Sequence, residues 1–214
     1  MLVLWGRPNS INVQKVLWAL DELQLLYEHL FAGGDFGGLD DPEFRALNPH
    51  GLVPVLTTDL ANIWESNSIV RFLAAKYGPP GFCPADLESR AVCEMWMDWN
   101  LSMLQPAIMG LFWGYYRTPE PQRNATRNQE LLEQCHARLG QLDALLATRP
   151  YISGNQFTMA DIPSGALLYR YFGMGLRNPD MPNLMAWYDR LCARKAYRQQ
   201  IMQPFDDLFG RLAF

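Results

Sequence analysis

Two serines stand where this chain could handle an anion without a metal or a strong base. Ser10 closes the polar, proline-bearing turn GRPNS (6–10) and opens the apolar stripe INVQKVLWAL (11–20). Ser66 follows Glu65 in WESNSIVRFL (64–73), where a strand pattern gives way to a helical one. A helix start carries unpaired N–H groups and the positive end of the peptide dipoles, so it attracts negative charge. A serine hydroxyl there either caps the helix or donates to the bound anion. Asn12 adds an amide in the first turn after Ser10, and Asn9 competes with Ser10 for the cap. Between the two serines lies NPHGLVPVL (48–56), which brings His50 and the Val53-Pro54 pair to the start of a strand. No HExxH, GxSxG or Gly-rich phosphate loop occurs, and His29 and His136 lack ligand spacing, so no metal is expected.

The elements that must hold these residues fall into two textures. Leu2–Trp5 reads as a short buried strand, 10–24 as a helix with Val13, Val16, Leu17, Leu20 and Leu23 on one face, and Tyr27–Phe31 as a second strand. A Gly-rich loop (32–42) leads to a short helix near Glu43–Leu47. Strands at 53–57 and near Trp64 follow, then a helix over Glu65–Tyr77. The order is β-α-β, short helix, β-β-α. GPPGFCP (78–84) breaks any helix or strand. Beyond it every strong pattern is helical, including Val92, Met95, Trp96, Trp99 and Met103 on one face. The pattern predicts an α/β unit over 1–77, a linker over 78–85 and an all-helical bundle over 86–214. Thr158 and Asp161 in FTMADI (157–162) have near-capping-box spacing, with Phe157 and Ile162 at staple positions, a folding element rather than a chemical one.

The 214 residues are 49% hydrophobic, enough for a sizeable core. With 18 Lys and Arg against 22 Asp and Glu and no basic face, a nucleic-acid role has little electrostatic support. The four cysteines form no CxxC pair and read as reduced thiols of a cytoplasmic protein. The start lacks signal-peptide character, and the longest apolar run, 108–116, is too short for a membrane span.

PNSIN (8–12), NPHGLVPVL (48–56), WESNSIVRFLAAKYG (64–78) and FTMADI (157–162), in this order and spacing, resemble the cytosolic glutathione transferases, most nearly the bacterial serine-type members similar to the theta and nu classes. The resemblance implies a thioredoxin-like amino-terminal domain, a helical carboxy-terminal domain, glutathione as co-substrate and a homodimer. It implies that Pro54 is cis and that the Val53 backbone pairs with the cysteinyl part of glutathione. It implies that Ser66 binds the γ-glutamyl carboxylate and that Glu65 faces the ammonium group. Ser10 takes the place of the activating hydroxyl, and Asn12 that of an auxiliary donor. Thiolate is the nucleophile, yet a thiol of pKa about 8.5 is only ~3% ionised at neutral pH. Lowering that value two units needs about 2.7 kcal/mol. One hydrogen bond to a charged acceptor supplies ~1.5–3 kcal/mol, and a helix start ~0.3–1 kcal/mol.

Many relatives place Lys, Arg or Gln before the valine of NPxGxVP to hold the glycyl carboxylate, and here Leu52 stands there. His50, Arg7 and Arg45 are the remaining candidates in this chain. The aromatic stretch GLFWGYYRTP (110–119) suggests Trp113 and Tyr116 as walls of a pocket for a small apolar electrophile. Transfer of glutathione in detoxification is the expected activity. Glutathione-dependent peroxide or disulfide reduction is a variant of it, and a non-catalytic binding or carrier protein is the competing reading.

Overall fold

Alternation along the first strand sorts the α/β unit into layers. The computed structural model describes residues 1–212. In β1 (Leu2–Trp5), Leu2 and Leu4 enter the main core, while Trp5 turns to the opposite face. β2 (Tyr27–Leu30), β3 (Val55–Thr57) and β4 (Asn62–Trp64) complete a sheet of order β2-β1-β3-β4, with β1–β2 parallel and the other pairs antiparallel. Leu4 pairs with Leu56 and Trp5 with Val55, so the two faces keep separate apolar sets. The helices α1 (Ile11–Glu22) and α3 (Ser66–Tyr77) share the core of the Leu4 face. On the other face α2 (Pro42–Leu47) presents Phe44, whose ring meets Trp5 edge-on at 6.2 Å.

The expected element order is found, with three local shifts. Ser10 is the cap of α1 rather than its first turn, and Glu65 is the cap of α3. Val53 and Pro54 precede β3, joined by a cis bond, rather than opening the strand.

After the 78–84 break come α4 (Leu87–Trp99), a π-helical stretch at Asn100–Leu104, α5 (Gln105–Leu111) and a second π-helical stretch at Phe112–Arg117. Such widened turns recur at functional sites. The rest of the bundle is α6 (Ala125–Leu146), α7 (Asp161–Gly173), α8 (Pro182–Cys192) and α9 (Lys195–Gln200). No helix among the described residues is long and apolar enough to cross a membrane.

The sequence predicts one buried face for α1, but nine of its twelve residues are buried. The reason is its position between α3 on one side and α7 and α9 on the other. Trp18 fills that second contact, 4.8 Å from the Tyr197 ring and 5.4 Å from the Phe157 ring. Its indole N–H donates to Glu22, whose carboxylate also accepts from the Arg194 guanidinium. FTMADI performs the folding task read from it. Asp161 accepts from the Thr158 and Ile152 N–H groups and from the Trp187 indole, tying the start of α7 to α8.

Candidate active site

The turn 6–10 delivers Ser10 to the cap of α1 with extended backbone, φ −77° and ψ 124°. Its carbonyl starts the helix by accepting from the Gln14 N–H at 2.8 Å. Its hydroxyl makes no capping hydrogen bond. Ser10 instead lines a cavity of about 200 Å³. Arg170, far along the chain on α7, reaches this turn and donates to the Asn9 carbonyl at 3.0 Å and to Gln14 Oε1 at 3.3 Å. Asn9 therefore supplies a carbonyl to the turn, and Ser10 keeps the cap.

Ile11, Met109, Phe112, Trp113 and Leu208 give this cavity its apolar wall, and Arg7, Arg117 and Arg170 its charge. The Arg117 guanidinium stands 4.1 Å over the Trp113 ring and donates to the Arg211 carbonyl. Arg170 lies 4.9 Å over Phe112. Burial, with added repulsion from Arg117 and Arg7, lowers Arg170 to about 10. Of the two aromatic residues expected here, only Trp113 lines the cavity. Tyr116 is buried behind it, stacked on Phe112 at 5.5 Å and flanked by Phe205 and Phe209. The chain beyond 200 folds back over that cluster, which makes Tyr116 core and brings Leu208 to the wall.

A second cavity, about 70 Å³, is lined by His50, Leu52, Val53, Pro54, Glu65 and Ser66 together with Asn48 and Trp64. Buried Asn48 shapes its floor, donating to the Leu52 carbonyl at 2.8 Å and accepting from the His50 N–H at 3.1 Å. The His50 ring meets Trp64 edge-on at 5.0 Å. Glu65 has φ +68°, a left-handed value that costs a non-glycine residue ~1 kcal/mol or more. That turn starts α3 abruptly, with Ser66 buried at its first position. Asn67 anchors the same turn by donating to the Met97 carbonyl of α4.

Of the three candidates for the glycyl carboxylate, His50 lies in this second cavity and Arg7 in the first. Arg45 lines neither, being engaged with Asp40 and the Pro49 carbonyl. Asn12 borders both cavities. Its Oδ1 accepts from Lys15 Nζ and from Gln105 Nε2, each at 3.2 Å. Sequence reading missed Lys15, Gln105, Arg117, Arg170 and Leu208. Lys15 and Arg170 each left a visible sign, a charge inside an apolar helix.

Two family models match, the glutathione S-transferase N-terminal domain over residues 4–81 and the C-terminal domain over 104–195. Glutathione S-transferase GstB of Escherichia coli (strain K12) is 42% identical over 206 residues, covering 95% of this chain and 99% of that protein. Glutathione S-transferase 3 of Zea mays is 30% identical, covering 94% and 93%. Among solved structures, the theta class glutathione S-transferase of Xanthomonas axonopodis pv. citri with glutathione bound superposes at TM-score 0.90. It is 44% identical, covering 95% of this chain and 98% of that one.

Proposed function

The chain belongs to the glutathione S-transferase family and is a glutathione transferase with glutathione as co-substrate, and from that premise we propose that Ser10 is the hydroxyl that stabilises the glutathione thiolate. In this reading residues 1–77 are the glutathione-binding unit, 78–85 the linker and 86–214 the helical unit that closes over the electrophile. Glutathione lies in the cavity of Val53 and Ser66. Its γ-glutamyl carboxylate takes the Ser66 hydroxyl and the N–H groups at the start of α3. Its ammonium group faces Glu65, and the Val53 backbone pairs with its cysteinyl part. His50 is the side chain offered to the glycyl end, beside exposed Leu52.

The sulfur then points to where the two cavities adjoin, between Ser10 and Asn12. The thiol proton leaves to solvent. The thiolate attacks an electrophile held against Trp113 and Met109, the carbon–sulfur bond forms, and the leaving group departs with its electron pair. The apolar wall suits a small apolar or aromatic electrophile. The guanidinium groups of Arg117 and Arg170 favour one on which negative charge develops during attack. A homodimer joined across α4 belongs to the same reading, supported by the exposed Val92 and Met95 on that helix.

One observation carries the assignment: Ser10 sits at the cap of α1 with its hydroxyl in no capping hydrogen bond and on the wall of the cavity. The test is the ultraviolet thiolate absorbance of bound glutathione titrated against pH in the native protein and in Ser10→Ala. Thiolate persisting below neutral pH natively and lost in the variant is the expected result. Coincident titrations would reduce Ser10 to a helix cap.

A further inference from the structure

Lys15 has no exposed surface, yet no carboxylate forms an ion pair with it among the described residues. Its ammonium group donates to two neutral oxygens, Asn12 Oδ1 at 3.2 Å and Gln105 Oε1. An ammonium can only donate, so each atom it meets must be an amide oxygen, which fixes the orientation of both side chains. Gln105 then has only its NH2 left, and that donates to Asn12 Oδ1 at 3.2 Å. Asn12 Oδ1 thus accepts two hydrogen bonds, filling its capacity. The Asn12 NH2 makes no hydrogen bond among the described residues, and Asn12 is the residue shared by the two cavities.

A buried cation with no carboxylate in direct contact is costly, and such costs collect where the charge has a task. We propose that Lys15 is a positioning residue for the transfer, holding and polarising Asn12 so that its NH2 meets the glutathione sulfur beside the Ser10 hydroxyl. The proposal rests on the assignment of the Ser10 site above. Lys15 gives up no proton to the reaction and acts on the sulfur only through Asn12. The groups facing it are neutral Asn12 on α1, neutral Gln105 on α5 and, from the α3 side, the Glu65 carboxylate. Desolvation lowers Lys15 to about 7, against which the Glu65 charge acts in part.

The test is the same thiolate titration, with steady-state rates, on native protein, Lys15→Met, Lys15→Arg, Asn12→Ala and the Lys15→Met/Asn12→Ala pair. In Lys15→Met the thiol titrates about one pH unit higher, and kcat/KM below neutral pH falls about tenfold. The KM for glutathione changes less than about twofold, because no residue assigned to hold the peptide ends of glutathione is bonded to Lys15. Lys15→Arg restores part of the shift. In the Asn12→Ala background, Lys15→Met adds less than about twofold, since the two act as one unit. A native-like titration in Lys15→Met, or a double variant whose losses multiply, overturns the proposal and leaves Lys15 a strut between α1 and α5. If Lys15→Met does not fold, Gln105→Leu must raise the thiol titration in the same direction, and an unmoved titration there overturns it equally. Native protein showing no thiolate below the range of free glutathione defeats both this proposal and the Ser10 assignment. Thiolate lost in Ser10→Ala but kept in Lys15→Met defeats this one alone.

Discussion

Replacing Lys15 by Met should make the protein more stable at neutral and lower pH, and the size of the gain should depend on pH in a fixed way. Burial lowers this ammonium from 10.5 to about 7. Below about pH 7 the folded and unfolded chains both carry the proton, and the folded chain bears the full desolvation cost. At ~1.4 kcal/mol per unit, that cost is about 5 kcal/mol. Methionine keeps the length of the apolar stem and removes the charge. It also leaves Gln105 Oε1 without a donor, which costs ~1–3 kcal/mol. The net expectation is a gain of about 2–4 kcal/mol near pH 6. Between about pH 7 and 10 the folded native chain sheds a proton that the unfolded chain still holds, so native stability rises relative to the variant by up to ~1.4 kcal/mol per unit. The gain must therefore shrink with rising pH. Urea unfolding of both proteins at about pH 6, 7.5 and 9 reads the difference directly, since titrations they share cancel. A variant less stable than native near pH 6, or a gap that does not narrow by about pH 9, refutes the reasoning.

Ser66→Ala removes one hydroxyl donor to a carboxylate, so the KM for glutathione should rise about 10- to 100-fold with kcat nearly kept, as initial rates will show. Trp113→Ala should raise the KM for an aryl halide, whereas Tyr116→Phe, buried behind that wall, should leave it unchanged. With three guanidinium groups on the wall, a carboxylate-bearing chlorodinitrobenzene should show a lower KM than its neutral parent. That advantage should shrink as salt is added. Asp161→Asn replaces an oxygen facing N–H groups by another donor, and should cost roughly 2 kcal/mol or more in urea unfolding.

The fold was legible because its signals are local. The short apolar run Leu2–Trp5, the period of 3.6 after residue 84 and the break at 78–84 each show in neighbouring residues. Ser10 and Ser66 were visible as helix starts for the same reason, whereas the roles given to them and to Val53 came from the family resemblance. Tyr116 was misplaced because what covers it, Phe205 and Phe209, lies about ninety residues away and carries no periodic mark. Arg170 bonds to Asn9 across 161 positions, and Gln105 to Asn12 across 93. No pattern within α1 or α7 contains that pairing.

These long-range bonds have a common consequence for where the chemistry resides. Ser10 and Asn12 belong to the α/β unit by sequence, but helices of the other unit hold both. Arg170 of α7 fixes the turn that presents Ser10, and Gln105 of α5 fixes the amide of Asn12. Trp18, between Phe157 and Tyr197, locks the helix that carries them. The Ser66 cavity needs less of this support, since apart from Asn12 its wall residues lie between 48 and 66, although Asn67 still ties the start of α3 to α4. In the proposed assignment, holding glutathione is thus mainly a task of the first unit, whereas activating its sulfur requires the packing between the two. A substitution in that packing, such as Trp18→Ala, should therefore lower kcat before it raises the KM for glutathione.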